Sequence, residues 1–215
     1  MKIAVIGTGN VGSALGGSLA RAGHDVTFAA RDAAKSARVA EQAGGTSAHD
    51  PAAAASGADV VILAVPFTAI ADVATELAPV IGGKVVIDPT NPLNPDYSGL
   101  TTAGGPSGAE RLAERLPGAN VVKAFNTLFA TVQADPEALG TTVDALIAAD
   151  DPGAAETVDA LATSIGFRPV NVGPLAAARE LEALAFLNIR LQVIAGGAWQ
   201  TSVVLVSPPD AALAA

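Results

Sequence analysis

The first twelve residues constrain the fold most strongly, because three glycines follow directly after a short apolar run. Residues 2–6 are rich in Ile and Val and are typical of a buried strand. Gly7, Gly9 and Gly12 have the G-x-G-x-x-G spacing, and residues 11–22 are predicted to form a helix. In such a turn the glycines allow a sharp bend, the approach of a pyrophosphate, and close helix packing. The sequence therefore predicts a dinucleotide site formed by Gly7, Thr8, Gly9, Asn10, Val11 and Gly12.

Strand and helix patterns alternate along the rest of the chain. Further strands are predicted at residues 25–30, 59–65, 84–88, 121–125, 143–149 and 168–172. Helices are predicted at residues 31–44, 51–55, 66–78, 107–116, 152–165 and 175–195, with a frayed tail at residues 207–215. This alternation predicts an α/β fold, a Rossmann-type doubly wound parallel sheet with helices on both faces. We expect a nucleotide-binding domain at residues 1–140 and a small C-terminal α/β extension at residues 141–215, which ends in a long buried helix.

Ligands of such folds bind beyond the carboxyl ends of the strands. Five segments should meet there, namely residues 7–11, 30–32, 65–67, 88–92 and 125–127. The candidate binding residues that these segments and the following helix add to the glycine loop are Arg31, Lys35, Val65, Pro66, Phe67, Asn91, Pro92 and Asn126.

The end of the second strand distinguishes NADP from NAD. Enzymes that bind NAD usually place Asp or Glu there, whereas enzymes that bind NADP place Arg nearby. Here Arg31 comes first and Lys35 follows one helical turn later, so both can face a phosphate. A register shift of two residues would instead make Asp32 the acid that binds the NAD ribose. We favour NADP, because the first polar residue after the strand is basic.

Composition argues against several classes of protein. The net charge of −9 and the sequence pI of about 4.5 disfavour binding to nucleic acid or to anionic membranes. Long apolar segments are interrupted by charges and glycines, so we expect a cytoplasmic protein with no membrane span. The chain has no cysteine, and its two histidines, His24 and His49, lack a partner motif, so no metal site is predicted.

No convincing acid–base set accompanies the predicted nucleotide site. Lys84 and Lys123 lie at or within strands, and Tyr97 lies in a long loop. Glu180 and Glu182 on the last helix suit either a site or an interface. No catalytic residue is therefore assigned. If the hydride acceptor is itself a redox cofactor, the protein needs only to hold two rings face to face.

The sequence resembles the NADPH-dependent coenzyme F-420 reductases (F-420:NADP oxidoreductases; the coenzyme is also written F420) over nearly its whole length. The matching residues are the glycine loop, Arg31 with Lys35, Ala64-Val65-Pro66-Phe67, Val121-Val122-Lys123-Ala124-Phe125-Asn126-Thr127, and Gly173-Pro174-Leu175 with Arg179 and Glu182. The resemblance implies hydride transfer between NADP(H) and the deazaflavin, a homodimer, and a C-terminal part that covers the deazaflavin. The acceptor's carboxylates would then need Arg179, Arg190 or Lys123 as cations.

Two positions depart from the family pattern. Asp32 stands where the family often has a second Arg, which bears on the preference for NADP. Asn126 stands where archaeal members have His, and the Lys-Ala-Phe-Asn form resembles the reductase domains of membrane ferric reductases, which use a flavin. A flavin is therefore an alternative acceptor.

Two further hypotheses stay open at this stage. An imine or pyrroline-carboxylate reductase shares the opening motif but needs a long helical domain, and the predicted strands at residues 143–149 and 168–172 occupy its place. A non-enzymatic NADP-binding regulatory protein could use the helix at residues 175–195 as an interaction surface. The enzyme hypothesis predicts an apolar pocket lined by Pro66, Phe67, Asn126 and residues 196–197.

Overall fold

The structure is a computed structural model that describes residues 1–206, and the tail expected at residues 207–215 lies outside this range. Its strands are β1 (Lys2–Ile6), β2 (Asp25–Ala29), β3 (Thr46–Ala48), β4 (Val60–Leu63), β5 (Val85–Asp88), β6 (Asn120–Ala124), β7 (Asp144–Ala149) and β8 (Arg168–Gly173). Its helices are α1 (Asn10–Arg21), α2 (Ala33–Ala43), α3 (Pro51–Gly57), α4 (Ile70–Leu77), α5 (Gly108–Arg115), α6 (Ala130–Ala134), α7 (Pro152–Ser164) and α8 (Ala178–Ala195).

All eight strands form one sheet in the order β3-β2-β1-β4-β5-β6-β7-β8. The predicted Rossmann-type α/β fold is confirmed, since β1 to β6 are parallel and helices cover both faces. Alternate residues of β1 explain the two layers: Ile3 and Val5 join the core beneath α1, α2 and α7, whereas Ala4 and Ile6 join the core beneath α3, α4 and α5.

The last two strands correct the expectation of a wholly parallel sheet. β7 runs antiparallel to β6, and β8 is parallel to β7. The connection from β6 to β7 contains only the five-residue helix α6, which the sequence analysis missed. The antiparallel register shows that the chain returns into the sheet from the edge at which β6 ended.

Two other elements differ from expectation. The three-residue strand β3 was not predicted, because Thr46–Ala48 is too short to show a period. Helix α8 begins after a single 3-10 turn at Leu175–Ala177 and buries only one side in this chain. Leu187, Leu191 and Ile194 on its other side are 53%, 53% and 76% exposed.

Candidate functional site

A cleft of about 970 Å³ lies beyond the carboxyl ends of the parallel strands. The glycine loop forms one wall, the segments after β5 and β6 form the floor, and α8 with the residues after it forms the other wall. The lining residues are Thr8, Gly9, Asn10, Val11, Ser13, Ala14, Arg21, Lys35, Pro89, Asn91, Leu93, Tyr97, Asn126, Thr127, Leu128, Phe129, Ala130, Thr131, Ala134, Ala185, Ile189, Ala198 and Trp199.

The three glycines have different surroundings. Gly7 has a φ of +109°, and a Cβ there would lie 2.2 Å from the carbonyl oxygen of Ala64. A Cβ at Gly12 would lie 2.0 Å from the carbonyl oxygen of Gly7. A Cβ at Gly9 would meet nothing within 4 Å, because Gly9 faces the open cleft. Gly7 and Gly12 therefore permit the turn and its packing, while Gly9 leaves space for a ligand.

The first turn of α1 has no side-chain cap. Gly9 precedes the helix and contributes no side chain, and no acidic residue lies in the first turn. The helices α2, α3, α5 and α7 begin at the side-chain caps Asp32, Asp50, Ser107 and Asp151, whereas α4, α6 and α8 also start without one. The N-terminal residues of α1 line the cleft, as do those of the five-residue α6, whereas the starts of α4 and α8 lie outside the lining. Uncapped backbone N–H groups at the positive end of a helix bind anionic groups well. This opening of α1 therefore suits a pyrophosphate.

Asp32 and its basic neighbours lie at the start of α2. The Asp32 carboxylate accepts a hydrogen bond of 2.9 Å from the backbone N–H of Lys35 and so serves as the helix cap. Arg31 and Lys35 are exposed, and Lys35 lines the cleft. One oxygen of the exposed Asp32 carboxylate is thus used by the helix cap, and two cationic side chains lie beside it.

The floor of the cleft contains a reciprocal amide pair. Asn91 Nδ2 donates to the carbonyl oxygen of Asn126 at 2.9 Å, and Asn126 Nδ2 donates to Asn91 Oδ1 at 3.0 Å. Asn126 Nδ2 also donates to the carbonyl oxygen of Leu181 on α8 at 3.1 Å. Phe125, with a φ of +63°, turns the chain sharply off β6 to place Asn126 there. The two residues that the strand-end argument selected are thus held together.

A buried ionic cluster lies behind this floor. Lys123 Nζ donates to Asp88 Oδ2 at 3.0 Å, to the carbonyl oxygen of Thr90 at 2.6 Å and to Glu182 Oε1 at 3.0 Å. Glu182 also accepts from the N–H of Gly108 at the start of α5. All three ammonium donors are satisfied, and the second carboxylate faces the positive end of a helix. Lys123 is fully buried, so it positions the floor and does not meet a ligand's carboxylates.

Comparison with known proteins identifies the family of this chain. Residues 2–92 match the family model described as NADP oxidoreductase, coenzyme F420-dependent. The F420-dependent NADP reductase of Methanothermobacter marburgensis is 34% identical over 209 residues, which cover 90% of this chain and 93% of that protein. The chain belongs to this family. It is accordingly an NADP-dependent oxidoreductase.

Two further relatives extend the comparison. The crystal structure of a candidate F420-dependent NADP reductase from an Arthrobacter species superposes with a TM-score of 0.82 at 32% identity, covering 92% of this chain and 96% of that one. The rat metalloreductase STEAP3 is 30% identical over 187 residues, which cover 85% of this chain. The chain spans only 36% of the length of STEAP3. This family member therefore matches the methanogen and Arthrobacter proteins nearly end to end.

The structure brings half of the predicted site residues into the lining of the cleft, namely Thr8, Gly9, Asn10, Val11, Lys35, Asn91 and Asn126. Gly7 and Gly12 support the loop from beneath, and Arg31 is exposed beside Asp32. Val65, Pro66, Phe67 and Pro92 lie outside the lining. Phe67 instead packs against Gly108, where a Cβ would approach its ring to 2.7 Å.

The lining residues that were not predicted come from α1, from the loop after β5, from the start of α6, from α8 and from the segment after α8. Phe129, Thr131 and Trp199 line the cleft although no spacing rule connects them. The sequence predicted residues 196–197 at the pocket, but these two glycines lie outside the lining and the residues directly after them, Ala198 and Trp199, form this part of the wall.

The cations that were expected to bind the acceptor's carboxylates contact other groups of the protein instead. Arg179 forms a bidentate pair with Glu110, at 2.8 Å and 2.6 Å, and this pair lowers the pKa of Glu110 to about 2. Arg190 lies over the ring of Phe186 at 5.7 Å, and Arg21 donates to the carbonyl oxygen of Ala134 at the cleft's edge. Arg179, Arg190 and Lys123 all lie outside the lining of the cleft, whereas Arg21, which was not predicted for this role, lines it.

None of the helices within residues 1–206 is long and apolar enough to cross a membrane. Within the same residues, no three His, Cys, Asp or Glu side chains group as metal ligands would.

Proposed function

We propose that the protein transfers hydride between NADP(H) and the deazaflavin coenzyme F-420, and that it does so by holding the two cofactors together in the cleft. The observation that carries the proposal is the cleft itself, which joins an uncapped helix start at one end to apolar and aromatic walls at the other. The bound cofactors would supply the hydride chemistry, and the protein would supply orientation and exclusion of water.

The glycine loop and α1 would hold the pyrophosphate. Gly9 leaves room for it, and the free N–H groups of the first turn point to the same space. The similarity to F420-dependent NADP reductases supports NADP as the dinucleotide. The site residues therefore fit the group that the family implies.

Arg31 and Lys35 would select NADP over NAD. A 2′-phosphate needs cations that are free to bind it, and both side chains are exposed at the end of β2. Asp32, the residue that would favour NAD, caps α2 instead. The ribose side of the cleft is therefore better suited to a phosphate than to a pair of hydroxyls.

The lining residues support transfer without an acid or base from the protein. Among the residues that the structure describes, the lining contains no carboxylate and no histidine. Its titratable side chains are those of Arg21, Lys35 and Tyr97. Direct hydride transfer needs no proton donor at the reacting carbon, so positioning by Asn91, Asn126 and the walls would suffice.

The C-terminal part would cover the second cofactor and complete a homodimer. Residues 141–215 contribute Ala185, Ile189 and Trp199 to the cleft wall. The outer side of α8 carries Leu187, Leu191 and Ile194 at helical spacing and exposes all three. An apolar stripe of this kind on a helix of 18 residues is typical of a face that packs against another chain.

Oxidation of NADPH by the purified protein tests the proposal. We expect rapid loss of the reduced-nicotinamide absorbance with coenzyme F-420 as the acceptor and much slower loss when NADH replaces NADPH. Tight NADPH binding without turnover by F-420, FMN or FAD would overturn it and favour the regulatory hypothesis.

A flavin acceptor is the second candidate, because one segment favours it. Lys123-Ala124-Phe125-Asn126 has the form noted for ferric reductase domains, and STEAP3 is among the relatives. The same assay separates the two, since turnover with FMN or FAD but not with F-420 would establish the flavin.

A further inference from the structure

We propose that Trp199 is the aromatic wall against which the planar ring of the acceptor packs. This inference rests on the proposed function, because it assigns the acceptor's place within the same cleft. It concerns the segment after α8, here called the C-terminal segment (residues 196–206), of which Ala198 and Trp199 line the cleft.

The backbone conformation at Trp199 is the first argument. Within residues 1–206, the non-glycine residues with positive φ are Tyr97 at 57°, Phe125 at 63° and Trp199 at 57°. All three are aromatic and all surround one cleft: Tyr97 and Trp199 line it, and Phe125 directly precedes Asn126. Bulky side chains avoid this region of φ, and such conformations concentrate at functional sites.

Two different helices hold the backbone of Trp199. Its N–H donates to Gln192 Oε1 of α8 at 3.0 Å, and its carbonyl oxygen accepts from the hydroxyl of Thr131 on α6. Gln192 Nε2 donates in turn to Thr201 Oγ1 at 2.8 Å. A Cβ at Gly197 would lie 2.3 Å from Gln192 Oε1, so glycine is needed for this arrangement. The indole is therefore presented by a rigid frame.

The C-terminal segment is also fastened beyond the cleft. Arg168 donates to the carbonyl oxygen of Leu205 at 2.6 Å, and Asp144 accepts from the N–H of Leu205 at 2.7 Å. Arg168 and Asp144 pair with each other at the starts of β8 and β7. Both ends of the segment are thus anchored, and Trp199 lies between the anchors.

The indole ring remains available to a ligand. It contacts Phe129 edge to face, with centroids 5.3 Å apart and an interplanar angle of 89°. That contact leaves at least one face of the indole uncovered by Phe129, and Trp199 is 40% exposed. Ile189 and Leu93 add apolar surface to the same cleft. A flat, conjugated ring such as a deazaflavin or flavin is the ligand that such a surface fits, because offset aromatic stacking adds to burial.

NADP(H) would bind at the opposite wall of the cleft, which the glycine loop forms. The glycine loop holds the dinucleotide, so Trp199 would act on the acceptor alone. Loss of the indole should therefore weaken the acceptor's binding and leave NADPH binding nearly unchanged. This separation distinguishes a wall of the acceptor site from a residue that only stabilises the fold.

Steady-state kinetics of Trp199→Ala, Trp199→Phe and Val203→Ala provide the test. Val203 is the matched control, because it lies on the same segment but lines a different groove, against Leu187 and Leu191. We expect Trp199→Ala to raise KM for the acceptor about tenfold while the Kd for NADPH changes less than about twofold. Trp199→Phe should restore most of the loss, and Val203→Ala should behave as wild type.

Wild-type protein supplies an independent readout, since Trp199 is the only tryptophan in the chain. Quenching of its fluorescence by acrylamide should fall when oxidised F-420 or FMN binds, and should change little with NADP⁺ alone. Turnover by the wild type with unchanged acrylamide quenching and an unchanged acceptor KM in Trp199→Ala would overturn this inference and leave the proposed function intact. Protection of Trp199 without turnover would support this inference and reject the proposed function.

Discussion

Lys123 Nζ lies 3.0 Å from Glu182 Oε1, and this contact joins the last helix to the middle of the sheet. Both side chains are fully buried or nearly so, and 59 residues separate them in sequence. Asn126 bonds to the carbonyl oxygen of Leu181, the neighbour of Glu182. The ion pair and the cleft floor therefore share one turn of α8, so the position of α8 sets the position of the floor.

Replacing Lys123 with Met should destabilise the protein strongly. Asp88 and Glu182 would be left buried without their cation, which costs about 3–5 kcal/mol in the free energy of unfolding. Urea denaturation measures the change. Lys84→Met is the control, because Lys84 is only partly buried and donates to the carbonyl oxygens of Ser56 and Ala58. If Lys123→Met lost no more stability than Lys84→Met, the buried ionic cluster would not be a major contributor to the free energy of unfolding.

The double variant Lys123→Met with Glu182→Gln refines this prediction. Removing the second charge relieves the unpaired carboxylate, so the double variant should be more stable than Lys123→Met alone. The two effects should be non-additive, because the residues share one network. Strict additivity in the urea measurements would show that the ion pair contributes no coupling.

The glycine loop gives a paired prediction of folding and binding. Gly12→Ala forces a Cβ to 2.0 Å from a carbonyl oxygen and should cost about 1–3 kcal/mol of stability. Gly9→Ala meets nothing within 4 Å, so it should fold normally while NADPH affinity falls at least about tenfold. Thermal unfolding and NADPH titration of both variants separate the effects. Normal NADPH binding by Gly9→Ala would place the pyrophosphate elsewhere.

What the sequence predicted well depended on local rules. The glycine spacing, the helix expected at residues 107–116, and most strand positions rest on residues a few positions apart, and the structure shows each of them. Asn91 and Asn126 were selected because parallel strands end at one edge. Their hydrogen bonds to each other follow from that rule, although the rule does not state which atoms meet.

What the sequence could not give depended on long-range packing. Lys123 was judged badly placed, since a lysine within a strand reveals no partner until α8 brings Glu182 to it. The antiparallel direction of β7 was not predicted, because the five-residue helix α6 between β6 and β7 is too short to show a period. Trp199 reaches the cleft only because α8 ends at Gly196 and the chain turns back. None of these contacts is encoded by spacing.

Arg31→Ala and Lys35→Ala should reduce the preference for NADPH over NADH. Each charge-assisted contact with a 2′-phosphate contributes roughly 1.5–3 kcal/mol, so kcat/KM for NADPH should fall about tenfold to a hundredfold, with little change for NADH. Arg38→Ala is the control, since Arg38 is also exposed on α2 but lies further from the cap. Equal losses with both dinucleotides would reject the phosphate contact.

Asp32→Ala tests whether the Asp32 carboxylate serves as the cap of α2 or binds the ribose. If the carboxylate serves only as the helix cap, this variant should lose about 1 kcal/mol of stability and keep its preference for NADPH. A large rise in kcat/KM for NADPH or loss of NADH activity would assign Asp32 to the ribose. Urea denaturation and kinetics with both dinucleotides measure the two outcomes.

The pair of Glu110 and Arg179 predicts an acid dependence of stability. Its hydrogen bonds to Arg179 lower the pKa of Glu110 from 4.5 to about 2 in the folded protein. A lowered carboxyl pKa stabilises the folded state above pH 4.5, and this contribution disappears as pH falls through about 2. Glu110→Gln keeps the capping geometry but removes the charge. The stability difference between wild type and variant should be constant near neutrality and shrink in that acid range.

The exposed side of α8 gives the last prediction, which concerns assembly. An apolar stripe on α8 consists of Leu187, Leu191 and Ile194, which recur at helical spacing and are all more than half exposed. In a symmetric homodimer the same stripe of a second copy would cover it. Leu191→Glu should halve the mass measured by sedimentation equilibrium, because the charge would be buried at the symmetric contact. Val193→Glu is the matched control, as Val193 is 58% exposed but lines a groove with Tyr97 and Arg190 that includes Ile194 and neither Leu187 nor Leu191. A monomeric wild type, or a dimer insensitive to Leu191→Glu, would remove α8 from the interface and leave Trp199 and the cleft wall to a single chain.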